Sequence, residues 1–364
     1  MKLKKGLRVL WRSHQEAQVG NDPRVAHTIK LEHPREFDIL QLLESDQTPS
    51  HLRQILAELG GRRDRVNELI RELAEAGLLI AGSRARPGEL QVHSAVRELL
   101  APEAESRGLV ENNAWAQLAR RGLQRVSIYG LGRTGAHIAL GLAAAGIGHL
   151  HLRDPQQVVP RDRGQIFGPC HVGLSREEAL AQIIKNQGFE CDVRTGERFT
   201  KPHAAVLVDY EVTSPNLSDA LCKRGVSHLS VVVNELSISC GPWVQYEYGP
   251  CLRCQRLWTA GADPHWPEMA TQQHARSEVA RRGEDTVLAA GVGALAVGQV
   301  LQGLAGITPI TAGRIFTIGL PGYSVEWAEI EVHPKCIIRH ESRQRARIGF
   351  SPPPRVALPP APGE

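Results

Sequence analysis

The 364-residue chain shows no run of eighteen or so apolar residues of the kind that crosses a bilayer, and its basic opening, MKLKKGLRVLWR, lacks the apolar core of a secretion signal. It is therefore expected in the cytoplasm, with no membrane partner. Charge of one sign is also lacking: 43 Lys and Arg against 39 Asp and Glu leave a formal +4, too mild to argue for nucleic acid by itself. Seven cysteines, an odd number spread over a long chain, point to reduced thiols or a metal rather than to disulfides. No internal repeat is visible. What remains is ordinary globular material, 42% hydrophobic and 23% charged, long enough for two or three domains.

Three short runs between Leu7 and His33 (LRVLW, EAQVG, HTIKLEH), separated by turn residues such as Asn21, Asp22 and Pro23, predict a small antiparallel sheet. Helical spacing follows, in stripes through Phe37, Leu40 and Leu43, through Leu52, Ile55, Leu56 and Leu59, and through Val66, Leu69, Ile70 and Leu73. Together these predict an α+β module resembling a winged helix-turn-helix over residues 1–82. A linker at Ser83–Glu89 and a helical spacer fill 83–118, an α/β domain covers 119–340, and a proline-rich flexible tail covers 341–364.

The α/β domain announces itself at VSIYGLGRTGAHIALGLAAAGIGHLHLRD, from Val126 to Asp154. Gly130, Gly132 and Gly135 stand at G-x-G-x-x-G spacing, after a β-branched run and before an Ala/Leu-rich helix, the arrangement of a Rossmann-type nucleotide unit. The first glycine permits the tight turn, the second a close approach to pyrophosphate, the third helix packing, and the helix start offers its amides to the anion. Asp154, about twenty residues on, can hold ribose hydroxyls. Further elements are expected as a helix at Arg176–Asn186, strands at Ala205–Asp209 and His228–Val233, and a small-residue helix at Val287–Leu304, read as a plain buried helix or a subunit contact.

A second chemical signal is Cys251-Leu-Arg-Cys254, followed by His333-Pro-Lys-Cys336 and His340. Two thiolates on one turn suit tetrahedral zinc, with Cys336 as third ligand and His340 as the local fourth; unligated thiols are the alternative. Cys170, Cys191, Cys222 and Cys240 are expected as small core residues. A thioredoxin-like role is disfavoured because no helix of the expected kind follows the C-x-x-C within a strand–helix unit.

In order along the chain, the glycine turn, Asp154 with Val158 beyond it, the stretch from His171 to Arg176, GPCLRC, the stretch from Asp263 to Pro267, and HPKC resemble the ThiF-like branch of the superfamily that includes ubiquitin-activating enzymes. The likeness covers roughly Val126 to His340. The front module resembles the leader-peptide recognition element that precedes such domains in ribosomal peptide biosynthesis. Trp11-Arg12, Gln18-Val-Gly20 and Asp22-Pro23 look like the actinobacterial version. The resemblance implies ATP and Mg2+ at Gly130, Gly132, Arg133, Gly135 and Asp154, activation of a carboxyl terminus as an acyl-adenylate, and a homodimer.

Several positions depart from that family. Where active members place Asn and, three residues later, Arg after the ribose acid, this chain has Asp162 and Gln165, with Arg163 out of register. Arg176 replaces the usual lysine, keeping charge but not a point ammonium donor. Asp209 and Glu211 are the stand-ins for the Mg2+ acid, and the zinc site has Cys336 where a second cysteine pair is common. Arg163, Arg176 and Asp209 are the catalytic candidates left, and degenerate adenylation is expected.

The front module then carries the functional expectation. Its last strand, His27 to His33, at a sheet edge beside the third helix, can accept an extended leader peptide, with pockets from Ile29, Leu31, Val66, Leu69 and Ile70, residues that also suit the module's own core. The leading expectation is a protein that binds a precursor peptide and presents it to a modifying enzyme such as a cyclodehydratase. The alternative is an active ATP-dependent adenylyltransferase acting on a peptide or ubiquitin-like-protein carboxylate. A DNA-binding regulator draws support from Arg62, Arg63 and Arg65, but Glu68, Glu72 and Glu75 follow on the same helix. A nicotinamide dehydrogenase leaves the C-x-x-C unexplained.

Overall fold

The computed structural model describes residues 1–80, 88–111, 113–196, 201–245, 248–277 and 283–338. The linker expected at Ser83–Glu89, apart from its last two residues, and the proline-rich tail lie outside them. The chain forms two compact units, Met1–Leu123 and Gln124–Glu364.

The first unit runs β1 (Lys2–Leu3), β2 (Val9–Ser13), β3 (Glu16–Val19), β4 (His27–Lys30), α1 (Glu36–Leu42), α2 (Pro49–Glu58), α3 (Arg63–Glu75), β5 (Leu79–Ile80), α4 (Ser94–Gly108) and α5 (Ala114–Arg121). Strands β2, β3 and β4 form the expected antiparallel sheet, with Val9 opposite Val19 and Ala17 opposite Ile29. Strand alternation sends Ala17, Val19 and Ile29 into the core and leaves Trp11 and Thr28 outside. The three helices lay Ile39 and Leu40, Leu52 and Leu56, and Val66, Leu69 and Leu73 against that face, all buried; the i, i+3, i+7 spacing on α3 makes one apolar stripe. Thr48 caps α2 by accepting from the His51 amide at 3.3 Å.

The pairing of β1 with β5 was not expected, because two-residue strands carry no period to read. Helices α4 and α5, expected as a spacer, group with this unit. They share a small core of Val92, Leu100, Ala104, Trp115 and Leu118, and Lys5 pairs with Glu105 at 2.7 Å. Leu69→Ala should lower the stability of this unit by about 2–5 kcal/mol through lost burial and a cavity. Denaturant titration followed by amide exchange on β3 measures it, and a loss under about 1 kcal/mol would show that this face is not the core.

The second unit runs β6 (Arg125–Tyr129), α6 (Arg133–Ala144), β7 (His149–Arg153), α7 (Arg176–Asn186), β8 (Asp192–Thr195), β9 (Ala204–Tyr210), α8 (Pro215–Lys223), β10 (Ser227–Val233), β11 (Ser237–Val244), α9 (Leu252–Ala262), α10 (Trp266–Ser277), α11 (Thr286–Leu304), β12 (Arg314–Gly319) and β13 (Ser324–Glu329). It is an α/β fold on one eight-stranded mixed sheet of order β13-β12-β11-β10-β9-β6-β7-β8. Strands β6 to β10 are parallel, with β6, β7, β9 and β10 largely buried and β8 exposed at the edge, while β11 to β13 are antiparallel. The strand order reverses between β6 and β9, and ligands of such sheets bind outside the carboxyl ends at that point.

Helix α11 corrects one expectation. By length and composition alone it could cross a membrane, so the chain does hold one such stretch. It is nevertheless half-buried, packing Leu288, Val292, Ala296 and Val300 into the core of the sheet, with an outward stripe that includes Val287 and Leu295. Small residues permit the approach: a side chain at Gly293 would press on His137 of α6.

Candidate nucleotide cradle and metal centre

The turn after β6 is built as its glycines predict. Gly130 holds φ +85°, and a Cβ there would strike the Val208 carbonyl of β9; a Cβ at Gly135 would strike the Gly130 carbonyl. Helix α6 therefore starts tight against the switch point, with Gly132 at its N-cap and no side chain of its own to satisfy its first amides. Glu284 supplies that cap from far along the chain. Its carboxylate accepts from the amides of Arg133 (3.1 Å) and Thr134 (2.8 Å), from the Thr134 hydroxyl, and from the Tyr210 hydroxyl (3.1 Å). Burial, then the Glu284 charge, raises the Tyr210 pKa and keeps the phenol a donor.

Asp154 ends β7 as expected, but its carboxylate is engaged. It accepts from the amides of Leu131 (2.8 Å) and Gln156 (3.0 Å) and from Arg176 Nη1 (3.0 Å). Arg176 also reaches Gln156 Oε1 and both Asp162 carboxylate oxygens at 3.1 Å. Burial alone would lower the arginine's pKa; Asp154 and Asp162 outweigh it and raise it. The Arg133 guanidinium turns to the carbonyls of Arg161 (3.0 Å) and Arg163 (3.2 Å) and to Thr286 Oγ1. Of the catalytic candidates, Arg176 lies at the cradle, whereas Arg163 contributes its carbonyl to the contact with Arg133.

Asp209 sits near the end of β9, half-buried, accepting from the Ser214 amide at 3.2 Å. Burial pushes its pKa up to about 6, against that amide and the charge of His274. Beyond β9 a cavity of about 740 Å³ is lined by Glu211, Asn234, Arg253, Arg256, Trp266 and His274. Both of those arginines share Asp219, at 3.8 and 3.4 Å. Glu284 and Tyr210 escaped the sequence reading because nothing local marks a cap delivered from 150 residues away.

Cys251, Cys254 and Cys336 converge, buried, with all three sulfurs within 4.8 Å of one another. Cys251 is the N-cap of α9 and Cys254 lies in its first turn. A helix does begin at the C-x-x-C, after β11, correcting the expectation that none of the right kind follows it; the third thiol, Cys336, 3.6 Å from Cys251, argues for metal ligation instead. Hydrogen bonds from Cys251 and then Cys336 hold the Cys254 thiol well below its usual range, the thiolate state a metal requires. His340 lies outside the described residues. Of the other cysteines, Cys222 and Cys240 are buried as expected, Cys191 is partly buried, and Cys170 is a correction: it is exposed on a short 3-10 turn. Burial pushes the Cys191 thiol up to about 12.

Residues 112–337 match the ThiF family. The chain belongs to that family. It is 26% identical over 225 residues to the adenylyltransferase and sulfurtransferase MOCS3 of Drosophila sechellia, which covers 58% of this chain and 46% of that protein; the chain thus spans about half the length of that relative. Among solved structures, E. coli MccB with ATP superposes with a TM-score of 0.65 at 14% identity, covering 93% of this chain and 98% of that one. PaaA superposes at 0.70 with 16% identity, covering 91% and 100%. These likenesses establish the fold.

Ahead of the ThiF domain, the first unit leaves β4 at the margin of its sheet, and no described strand lies beyond it. Leu31 donates its amide to Gln15 O on the β3 side at 2.8 Å, so alternation turns the backbone groups of Thr28 and Lys30 away from β3. Helix α3 flanks that margin: Arg65 Nη2 donates to Lys30 O at 2.7 Å, and His27 Nε2 lies 3.1 Å from Glu72. Of the residues expected to form pockets, Ile29, Leu31, Val66 and Leu69 are buried in the module's own core and Ile70 is partly buried. Arg62 and Arg65 are paired with Glu32, Glu36 and Glu68, which removes the basic stripe a DNA reader needs.

The raised pKa of Asp209 in the ThiF domain gives a pH signature. Its raised pKa means the native state holds the proton more tightly than the unfolded chain. Stability therefore falls as pH rises from about 4 to about 6, by at most about 3 kcal/mol, and is flat above. Asp209→Asn removes this loss, so its advantage over the parent in denaturant midpoint should grow across that window and then plateau. Parallel curves for parent and variant from pH 4 to 8 would contradict the assignment.

Proposed function

We propose that this ThiF-family protein captures the leader segment of a ribosomally made precursor peptide on β4 and presents the rest to a modifying enzyme such as a cyclodehydratase. Its nucleotide-binding domain is retained with degenerate adenylation activity. The observation that carries this reading is the open margin of β4, where Thr28 offers an outward amide and carbonyl beside α3. An extended peptide adds to such an edge through main-chain hydrogen bonds. The likeness to MccB, a microcin C7 biosynthetic enzyme solved in complex with N-formylated MccA, supports a place in peptide maturation. The buried pockets then act indirectly: Ile29, Leu31, Val66 and Leu69 hold β4 and α3 apart at the right spacing, and Ile70 remains to touch the leader.

The engagement of Asp154 and Asp162 by Arg176 supports degenerate adenylation, since the ribose acid and the arginine that would face phosphate neutralise each other. The second reading, an active adenylyltransferase, is favoured by the intact glycine turn and by the cavity beyond β9, whose Arg253 and Arg256 suit a peptide carboxylate. Thr28→Pro tests the first reading. It deletes the outward amide while leaving the β3 ladder, a substitution edge strands tolerate. Titration of the full chain with the precursor peptide encoded beside its gene should show binding, weakened at least ten-fold by the variant. Unchanged binding would remove β4 from the account, and robust pyrophosphate exchange dependent on ATP and peptide would establish the second reading.

The thiol cluster fits zinc. Tetrahedral bonds of about 2.3 Å place ligand sulfurs about 3.8 Å apart, and Cys251 lies 3.7 Å from Cys254 and 3.6 Å from Cys336. The ion would tie the start of α9 to the segment around Cys336, with His340 as the proposed fourth ligand. Elemental analysis should return about one zinc per chain, lost on Cys254→Ser with a lower thermal midpoint. Full stability in a metal-free chain would contradict a structural zinc.

A further inference from the structure

The start of α6 is where a ThiF domain would receive the polyphosphate of a nucleotide, yet its first two amides already face a carboxylate. Glu284 takes the amides of Arg133 and Thr134, the Thr134 hydroxyl and the Tyr210 hydroxyl. The space directly over Gly132, left open by the missing side chain, is closed from the other side: a Cβ there would run into the Tyr210 hydroxyl and would lie 3.3 Å from Glu284 Oε2. A phosphate oxygen approaching the Gly132 backbone meets the same two groups.

The carboxylate is also held in place. Its neighbour Asp285 caps α11, accepting from the amides of Val287 and Leu288 at 2.9 Å. Adjacent acids thus cap two different helices, and those helices pack against each other through Gly141 against Val297 and Gly293 against His137. The cap on α6 is therefore preorganised by α11, unlike an ordinary N-cap from the residue beside the helix such as Ser175 on α7.

We propose that Glu284 is an internal anion that competes with the polyphosphate of a nucleoside triphosphate for the α6 amides, so that nucleotide enters only when this carboxylate leaves. The cradle is self-filled, and its occupant sets nucleotide affinity. Carboxylate and phosphate are both anions that match a helix start and its free amides. Their charges repel if both are present, so the two states exclude each other. The inference rests on reading the glycine turn as a nucleotide site and is independent of peptide capture by β4.

Calorimetric titration of the full chain with MgATP, and separately with inorganic pyrophosphate, tests the competition in the absence of any peptide. Glu284→Gln keeps an acceptor for the helix amides but removes the charge, and Glu284→Ala opens the space. Both should bind MgATP at least ten-fold more tightly than the parent, with the alanine variant also gaining affinity for pyrophosphate. Equal or weaker binding by variants that keep the parent's circular dichroism spectrum would overturn the proposal and make Glu284 a helper of nucleotide binding. A gain limited to MgATP, with pyrophosphate unchanged, would equally overturn it, since the competition is for the phosphates. Leader binding is read in a different titration, so either claim can fail alone.

Discussion

The α/β unit depends on one close approach: the Gly130 carbonyl presses against Gly135, and the turn that carries it presses against Val208 of β9. That contact fixes where α6 begins and leaves the helix with amides that must find an anion. In a nucleotide-binding protein the anion is a phosphate. Here it is Glu284, delivered by the start of α11, and the packing of α11 on α6 follows from the same small-residue contacts. Around this cradle the other charges close inward: Asp154 and Asp162 on Arg176, Arg133 on two carbonyls.

A buried ion pair of this kind is weak evidence of net stability, since desolvation offsets much of the attraction. Its consequence is positional. Arg176 is held between two acids, so its charge is compensated within the cradle. The thiol cluster is different: three buried sulfurs lie close together at a spacing that suits a metal.

Much of this was legible in the sequence. The glycine spacing with a β-branched run before it and small residues after it located β6 and α6, and Asp154 fell where the second strand ends. The helix at Arg176–Asn186 was readable because Ser175 and Glu178 form a capping box. The antiparallel strands β11 to β13 were not, because a strand exposed throughout such as β13, SVEWAE, carries little period. Glu284 was invisible for another reason: its partners are backbone amides, which no residue pattern records. The front module was readable down to its three helical stripes, but its stripes could not say which apolar residues face a ligand, and four of the five proposed proved to be core.

The two units divide the work in this account: an edge strand recognises a peptide, and a nucleotide fold is kept but filled by its own side chains. Hydrogen–deuterium exchange of the full chain with and without its precursor peptide tests that division most directly. The account predicts new protection at the outward amides of Thr28 and Lys30, with exchange at the start of α6 unchanged. Protection that appears instead at Arg133 and Thr134, and leaves β4 untouched, would contradict it.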